Sequence, residues 1–392
     1  MRKKRVLYFM PDNPTKGKAG NITRCCQMLS YFSDRASDLE VDFVSEESWG
    51  QWDAGSQSDF RLRYPSINLH VINRKVRRDN FLKYLFHYKI PLFFRNLFFN
   101  STIDHTTPML RRKMRKLFST YNYDIVVISY VHWGGLVDLI PYQTYKVIDT
   151  HDFITAQYSL SKGLNAQQIG KVLGQELEVL RKFDEIWTYS VEEKYIFEQF
   201  NKKIVKLLPV GFPPQDKQIA PSNTTFDILY IASDNPHNKR GATWFYENVL
   251  PLLNQHIRIG IVGNIGKYIP EHDQLSKIGV IGELHDVYHS ARVVICPMLS
   301  GTGVKVKVLE GISFGKPVVT TVRGVDGLLN KRNNGCIVCN NHVEFAAAIH
   351  NLLDNPDFYR EIVQQGKEYL STYHSQKKEV QILDEVFLKN CE

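Results

Sequence analysis

Between Ser300 and Leu328 the chain reads SGTGVKVKVLEGISFGKPVVTTVRGVDGL, and these residue types at this spacing are the ones that can do chemistry. Ser300-Gly301-Thr302-Gly303 has the glycine content of a loop. Val304, Val308, Leu309 and Ile312 follow at intervals that one helix face gathers. Gly315 stands where a left-handed glycine ends a helix, and Pro317 blocks continuation. The β-branched run Val318-Val319-Thr320-Thr321 predicts a strand covered on both faces. A glycine loop leading into a helix N-terminus presents amide N–H groups and the positive end of the helix dipole to an anion. Lys305 and Lys307 add two ammonium groups in the first turn, where cations cost a helix stability unless an anion joins them. A diphosphate has the required charge, and Glu310 can accept hydrogen bonds from a diol such as a ribose. The same residues also read as an ordinary loop, helix and strand with solvated lysines.

Other candidates stand at the ends of apolar runs that read as strands. The run Asp124-Ile-Val-Val-Ile-Ser129 leads to His132, and Lys146 to Thr150 leads to His151-Asp152. In open α/β sheets ligands bind at such carboxyl ends, so two histidines at one edge are either site residues or packed bystanders. The opening strand, Val6 to Met10, is followed by a loop with Gly17 and Gly20 and a helix near Ile22 that Asn21 can cap. It lacks Gly-x-Gly-x-x-Gly, so dinucleotide binding is not supported. Glu46 to Asp59 reads as a long polar loop carrying Trp49 and Trp52.

After Phe212-Pro213-Pro214 a polar, proline-bearing linker runs to Asn223, and the strand–loop–helix pattern restarts. Asp227 to Ala232, Ile257 to Val262, Val280 to Gly282 and Ala291 to Cys296 read as strands. Lys239, Arg240 and Gly263 fall on strand-end loops at the edge that carries Ser300–Gly303. The tail from His342 to Leu388 reads as helical.

The stretch from Pro297 through Gly301, Gly303, Lys307, Leu309-Glu310, Gly315-Lys316-Pro317-Val318-Val319, Gly324 and Gly327 resembles the donor segment of retaining GT-B glycosyltransferases of group 1, family 4-like. The resemblance covers nearly the whole chain and is specific from about Asp227 to Leu328. It implies an α/β GT-B fold: two facing Rossmann-like domains with a C-terminal helix crossing back to the first. The implied boundaries are 1–212 for an acceptor domain, 213–372 for a sugar-nucleotide domain and 373–392 for the crossover helix. Glu310 matches the family's ribose-holding glutamate. The family's other glutamate, eight residues earlier, is Thr302 here, a departure shared by a sub-branch with Gly-x-Gly-x-Lys-x-Lys-x-Leu-Glu. The resemblance also places Gly20 toward the donor phosphates and Ile281-Gly282-Glu283 at the base. It makes His132, or alternatively His151, the contact to the transferred sugar. The candidate catalytic residues are His132, His151 and Lys307. The candidate donor-binding residues are Gly20, Arg240, Gly263, Gly282, Thr302, Gly303, Val304, Lys305, Lys307 and Glu310.

Composition bounds these readings. With 392 residues, 43% hydrophobic and 23% charged, the chain suits two globular domains, and its net charge of +8 favours anionic partners. Six cysteines at scattered positions read as reduced thiols of a cytoplasmic protein, and Cys336-Ile-Val-Cys339 lacks the second pair of a zinc knuckle. No run approaches the ~18 apolar residues of a spanning helix. The residues 74–118 carry Arg74, Lys75, Arg77, Arg78, Lys83, Lys89, Arg95, Arg111, Arg112, Lys113, Arg115 and Lys116 against only Asp79 and Asp104, interleaved with aromatics such as Phe81, Phe86, Phe93, Phe98 and Phe99. They read as two helices with solvated charge, as a peripheral contact to an anionic membrane, or as a nucleic-acid surface, the last without any RNA- or DNA-binding motif.

The sequence-level reading is a retaining hexosyltransferase that takes a nucleotide-diphosphate sugar and a glycan or lipid-linked acceptor, needing no cofactor and no metal, in cell-surface polysaccharide assembly. A GT-B sugar-nucleotide epimerase and a non-catalytic sugar-nucleotide-binding subunit are the alternatives.

Overall fold

The computed structural model describes residues 2–17, 20–73, 81–98, 102–213, 224–282 and 284–389. The basic run 74–78 with Asp79, Phe99, Glu283, Cys391 and the expected linker from 214 to 223 lie outside the described residues.

The chain divides into two units. The first comprises Met1–Tyr189, Glu193–Leu208 and Val380–Glu392, and the second Ser190–Glu192 and Pro209–Glu379. Among the described residues the first holds seven strands: β1 (Lys4–Phe9), β2 (Leu39–Glu46), β3 (Ile67–Ile72), β4 (Ile125–Ser129), β5 (Tyr145–Asp149), β6 (Glu185–Thr188) and β7 (Ile204–Leu207). They form one sheet in the order β3-β2-β1-β4-β5-β6-β7, every neighbour parallel. The second unit holds β8 (Phe226–Ile231), β9 (Ile259–Val262), β10 (Leu275–Gly279), β11 (Ala291–Cys296), β12 (Val318–Thr321) and β13 (Cys336–Cys339), in the order β10-β9-β8-β11-β12-β13, again all parallel. Parallel pairing needs helical crossovers, which cover both faces and make the strands continuous apolar runs. Both units are therefore Rossmann-like. In each, the strand order reverses once, between β1 and β4 and between β8 and β11, the place where such sheets bind ligands.

Side-chain alternation splits each core into two layers. Leu7 and Phe9 of β1 join Val126 and Ile128 of β4 beneath Trp133, Leu136 and Phe183, while Val6 and Tyr8 join Ile125 and Val127 against Met28, Phe32 and Trp187. Phe387, from the C-terminal segment, lies in that second layer with its ring 5.0 Å from Phe32. In the second unit Ile228, Tyr230, Ile259, Val293 and Ile295 face one way, and Leu229, Val262, Val294 and Cys296 the other.

Several elements differ from the sequence reading. The loop expected over 46–59 ends early, because Asp53 accepts the Ser56 amide and Ser56 Oγ accepts the Asp53 amide, a capping box that starts the helix Ala54–Arg63. The edge strand β3 was not legible, since INLHVI mixes polar and apolar residues as a partly exposed edge does. The strand expected at Val280–Gly282 lies earlier, as β10, and its weak apolar content reflects an exposed edge position. Asn21 lies inside the helix Gly20–Asp34 rather than at its cap, and its Nδ2 donates to Asp12 Oδ2 at 2.9 Å. Among the described residues no helix is long and apolar enough to cross a membrane.

Candidate functional site

At the strand-order reversal of the second unit the loops after β8 and β11 interlock. Asn235 starts the helix Pro236–Trp244, its side chain accepting the Asn238 amide at 2.9 Å, with Pro236 in the first turn. This fixes Asn238, which is buried; its Nδ2 donates to the Ser233 carbonyl at 3.0 Å and its carbonyl accepts from Tyr230 Oη at 3.3 Å. The one oxygen left on that side chain, Oδ1, accepts from Lys307 Nζ at 2.7 Å. His237 Nδ1 and Ser300 Oγ share a hydrogen bond of 2.9 Å. One glycine allows this approach, and a second lets the loops after β8 and β9 meet. A Cβ on Gly241 would overlap the Pro297 carbonyl oxygen, and one on Gly263, at φ +99°, the Ala232 carbonyl oxygen.

The loop itself turns through Gly301 (φ +103°) and Gly303 (φ +70°) into the helix Val306–Ser313, whose N-terminus no side chain caps. Among the described residues the amides of Gly301, Thr302, Gly303, Val304 and Lys305 donate to no protein acceptor. Thr302, Gly303 and Val304 are half-exposed. Lys305 is buried, and its Nζ donates back to the carbonyls of Thr302 (3.0 Å) and Gly303 (2.7 Å), bracing the loop so that its N–H groups point away from those carbonyls. Burial lowers the pKa of Lys305, with Asp326 opposing, and that of Lys307, with Cys296 opposing. The sequence assigns both lysines directly to an anion. In the structure Lys305 holds the loop, and Lys307 ties the loop's helix to Asn238.

The helix ends as its glycine requires. Gly315 (φ +66°) donates to the Ile312 carbonyl at 2.9 Å and Lys316 to that of Gly311 at 3.1 Å, the paired bonds of a Schellman cap. Glu310 accepts from Tyr288 Oη at 3.3 Å. The Tyr288 ring stacks on Phe314 at 4.4 Å, and burial followed by the Glu310 charge drives its hydroxyl pKa well up. Gly282 is exposed with open space where a Cβ would sit, Arg240 is exposed, and Lys239 Nζ lies 3.7 Å from the Tyr268 ring centroid. Thus the structure gathers Thr302, Gly303, Val304, Lys305 and Lys307 around one loop, with Glu310 a turn further on the same helix, whereas Gly263 meets the chain after β8 at Ala232. Asn238, His237 and Tyr288 join them, and sequence reasoning did not select these three. The Asn-Pro cap at 235–236 was the available signal, since it places Asn238 at the third helical position.

The first unit carries the remaining candidates at its own reversal. Tyr130 (φ +66°) and His151 (φ +59°) hold left-handed backbone at adjacent strand ends, a strained conformation for non-glycine residues. Their rings stack at 4.3 Å. The His151 side chain is buried with Nε2 3.7 Å from Asp149 Oδ2, which accepts from Tyr189 Oη at 2.7 Å and lies 3.6 Å from Arg24 Nε. His132 stands at the edge of burial, stacked on His105 at 4.0 Å, and its Nδ1 bonds the Ile103 carbonyl at 2.6 Å. A carbonyl can only accept, so Nδ1 carries the proton and Nε2 is left as the lone-pair nitrogen. Burial lowers the pKa of both histidines, which favours their neutral forms. Gly20 begins the helix Gly20–Asp34 and is half-exposed. Trp52 is buried and donates to Ser45 Oγ, while Trp49 donates to Asp12 Oδ1 and sets its ring edge-on to Trp133.

Residues 225–355, which span this loop, match the family model of glycosyl transferases group 1. An uncharacterized 44.6 kDa protein in the cps region of Klebsiella pneumoniae is 28% identical over 182 residues, 42% of this chain. The match takes in 46% of that relative, so the chain spans less than half the length of the curated protein it resembles. Solved structures match over the whole chain at low identity. Sucrose-phosphate synthase from Thermosynechococcus elongatus has a TM-score of 0.70 at 13% identity, with 99% of each chain covered. Anabaena HepE in complex with UDP-glucose gives 0.67 at 13%, covering 98% of this chain and 99% of its own. An S. aureus TarM variant in complex with fondaparinux, α-GlcNAc-glycerol and UDP gives 0.68 at 10%, covering 98% and 100%. The fold is the GT-B fold of glycosyltransferases.

Proposed function

We propose that the chain is a retaining glycosyltransferase that moves a hexose-type sugar from a nucleotide-diphosphate donor to a glycan or lipid-linked acceptor in surface polysaccharide assembly. One observation carries the reading: five consecutive loop amides without an acceptor among the described residues, beside a lysine whose charge burial disfavours, at a helix N-terminus that no side chain caps. Such a set is short of an anion, and a diphosphate supplies one. The group 1 match over 225–355 supports the transferase class. The relative's place in a cps region supports the polysaccharide role, and the UDP-glucose and UDP in the HepE and TarM structures support a sugar nucleotide.

In the proposed reaction the bond from the anomeric carbon to the diphosphate oxygen breaks and negative charge grows on that oxygen. The loop amides, the helix end and Lys307 stabilise it, preorganised before the charge appears. The acceptor oxygen bonds the anomeric carbon on the face the diphosphate leaves, and its proton passes to the departing phosphate. Glu310 takes the ribose diol, and the amide of Gly303 takes the sugar-hydroxyl role that Thr302 cannot fill as a glutamate would. We assign the transferred sugar to His132 rather than His151: neutral His132 offers Nε2 as an acceptor, whereas His151 is enclosed by Tyr130, Tyr189 and Asp149. Arg240, Gly20, Gly263 and Gly282 remain proposed donor contacts.

The test is incubation of the chain with UDP-, GDP- and ADP-hexoses and a lipid-linked glycan pool, with the anomeric configuration of the product read by NMR. Transfer with the donor's configuration supports the reading. An inverted product removes the retaining mechanism. An epimerised donor without transfer, or binding without turnover, replaces the transferase with one of its alternatives.

A further inference from the structure

The helical run 81–98 of the first unit is apolar on the side where a surface helix is ordinarily polar. Phe81, Leu82, Phe86, Phe93 and Phe94 are 69%, 64%, 62%, 65% and 52% exposed. Leu82, Phe86, Lys89 and Phe93 recur at four-, three- and four-residue steps and so share one stripe. On the other side Tyr88 is buried and stacks on Tyr84 at 5.4 Å, so the run is docked to the unit by one face and bare on the opposite one. A π-helical turn, Leu85–Lys89, widens the run in the middle.

The helix Pro108–Thr120 packs against that turn. It turns Leu110, Met114 and Phe118 inward and exposes Arg112, Lys113, Arg115 and Lys116. These four cations form no ion pair among the described residues, whereas the neighbouring Arg111 is used internally, on the Gly135 carbonyl and Asp138. Neither helix contains an aspartate or a glutamate.

We propose that this surface seats the chain on an anionic lipid bilayer. Phenylalanine and leucine rest at the boundary of headgroups and acyl chains, and the unpaired cations meet headgroup phosphates. Charge complementarity selects this occupant. A second copy of the chain would bring the same basic face against itself across a two-fold axis, like charge on like charge. A nucleic acid would match the cations but leave Leu82 and an outward aliphatic–aromatic stripe with no stacking role.

Sedimentation of the full chain with vesicles tests this without donor or acceptor, so its outcome is independent of the transferase reading. One vesicle population is phosphatidylcholine alone and the other contains about one-third phosphatidylglycerol. The expected result is binding at least ~10-fold tighter to the anionic vesicles, weakened by salt. The double substitution Phe86→Ser with Phe93→Ser should lower affinity about tenfold or more at every salt concentration. Replacing Arg112, Lys113, Arg115 and Lys116 by Gln should remove most of the salt dependence, at about fivefold per charge. Because these side chains are exposed, the melting temperature of both variants should match the parent, which separates lost docking from lost folding. Equal binding to both vesicles, unchanged binding of the variants, tighter binding to a random RNA oligonucleotide than to anionic vesicles, or a solution dimer that the phenylalanine substitutions break would each overturn the proposal.

Discussion

Where the strand order reverses in the first unit, the loops after β1 and β4 meet through a carboxylate: Asp12 accepts from Asn21, Trp49 and Tyr130. Where it reverses in the second, the loops after β8 and β11 meet through an ammonium group, Lys307 on Asn238. The strand order leading to both places is the same. At the first edge the buried groups are charged and polar side chains, with Asp149 accepting from Tyr189 and flanked by Arg24 and His151. The second leaves amides without acceptors among the described residues, and a lysine whose charge burial penalises. Backbone topology thus places a site, and the side chains on two loops set its sign. The anionic donor is therefore proposed at the second edge.

The largest expected effect breaks the second edge at its backbone. Gly263→Ala forces a Cβ onto the Ala232 carbonyl at a left-handed φ, where nothing flexible can yield, and should cost about 3 kcal/mol or more in urea unfolding. Gly163→Ala in the first unit, also left-handed but with open space around it, should cost only about 1–2 kcal/mol. Equal costs would show that the Ala232 contact adds nothing to the left-handed strain at Gly263.

Next, His132→Ala should lower kcat by about 10–100-fold while leaving diphosphate affinity within a factor of two, since its role is given to the sugar and not to the anion. A fall in diphosphate affinity without a fall in kcat would move His132 out of that role.

The two units should also answer acid in opposite directions. Burial raises Glu176 of the first unit to about 7, although it accepts from Thr155 Oγ1 and from the amides of Ile154 and Thr155. Its folded pKa lies above the unfolded value of 4.5, so its contribution is complete below 4.5 and is lost as pH rises through 7. Burial lowers His374 of the second unit to about 4, with the bond to the Val210 carbonyl opposing. Its folded pKa lies below the unfolded 6.5, so its contribution is complete above 6.5 and is lost as pH falls toward 4. Each swing is at most about 3 kcal/mol. In urea titrations Glu176→Gln should erase the loss of stability between pH 4.5 and 7, and His374→Asn the loss between 6.5 and 4. Unchanged profiles in both variants would end this contrast.

The central strands were legible because buried parallel strands are continuous apolar runs. β11 and β12 fall at the residues expected from Ala291–Cys296 and Val318–Thr321, and Gly315 ends its helix as its position required. Exposed edges were not legible. β3 and β10 lack the apolar content that marks a strand, and the loop expected after Glu46 gave way to a helix set by a two-residue cap. At the site, the glycine loop and Lys307 stood out by residue type. Asn238 did not, because its importance comes from one carboxamide oxygen facing a lysine 69 residues away in the chain. The turning back of Lys305 onto its own loop was equally hidden, since an ammonium group reads alike whether it meets a phosphate or two carbonyls.

Titration calorimetry of UDP, GDP and ADP into the parent chain and into Lys307→Ala tests the anion site most directly. At least one nucleoside diphosphate is expected to bind the parent and to bind the variant about 10–100-fold more weakly, the worth of a hydrogen bond to a charged group. If none of the three binds the parent, or if the one that binds does so equally well without the Lys307 ammonium group, the loop at 300–307 is not a diphosphate site.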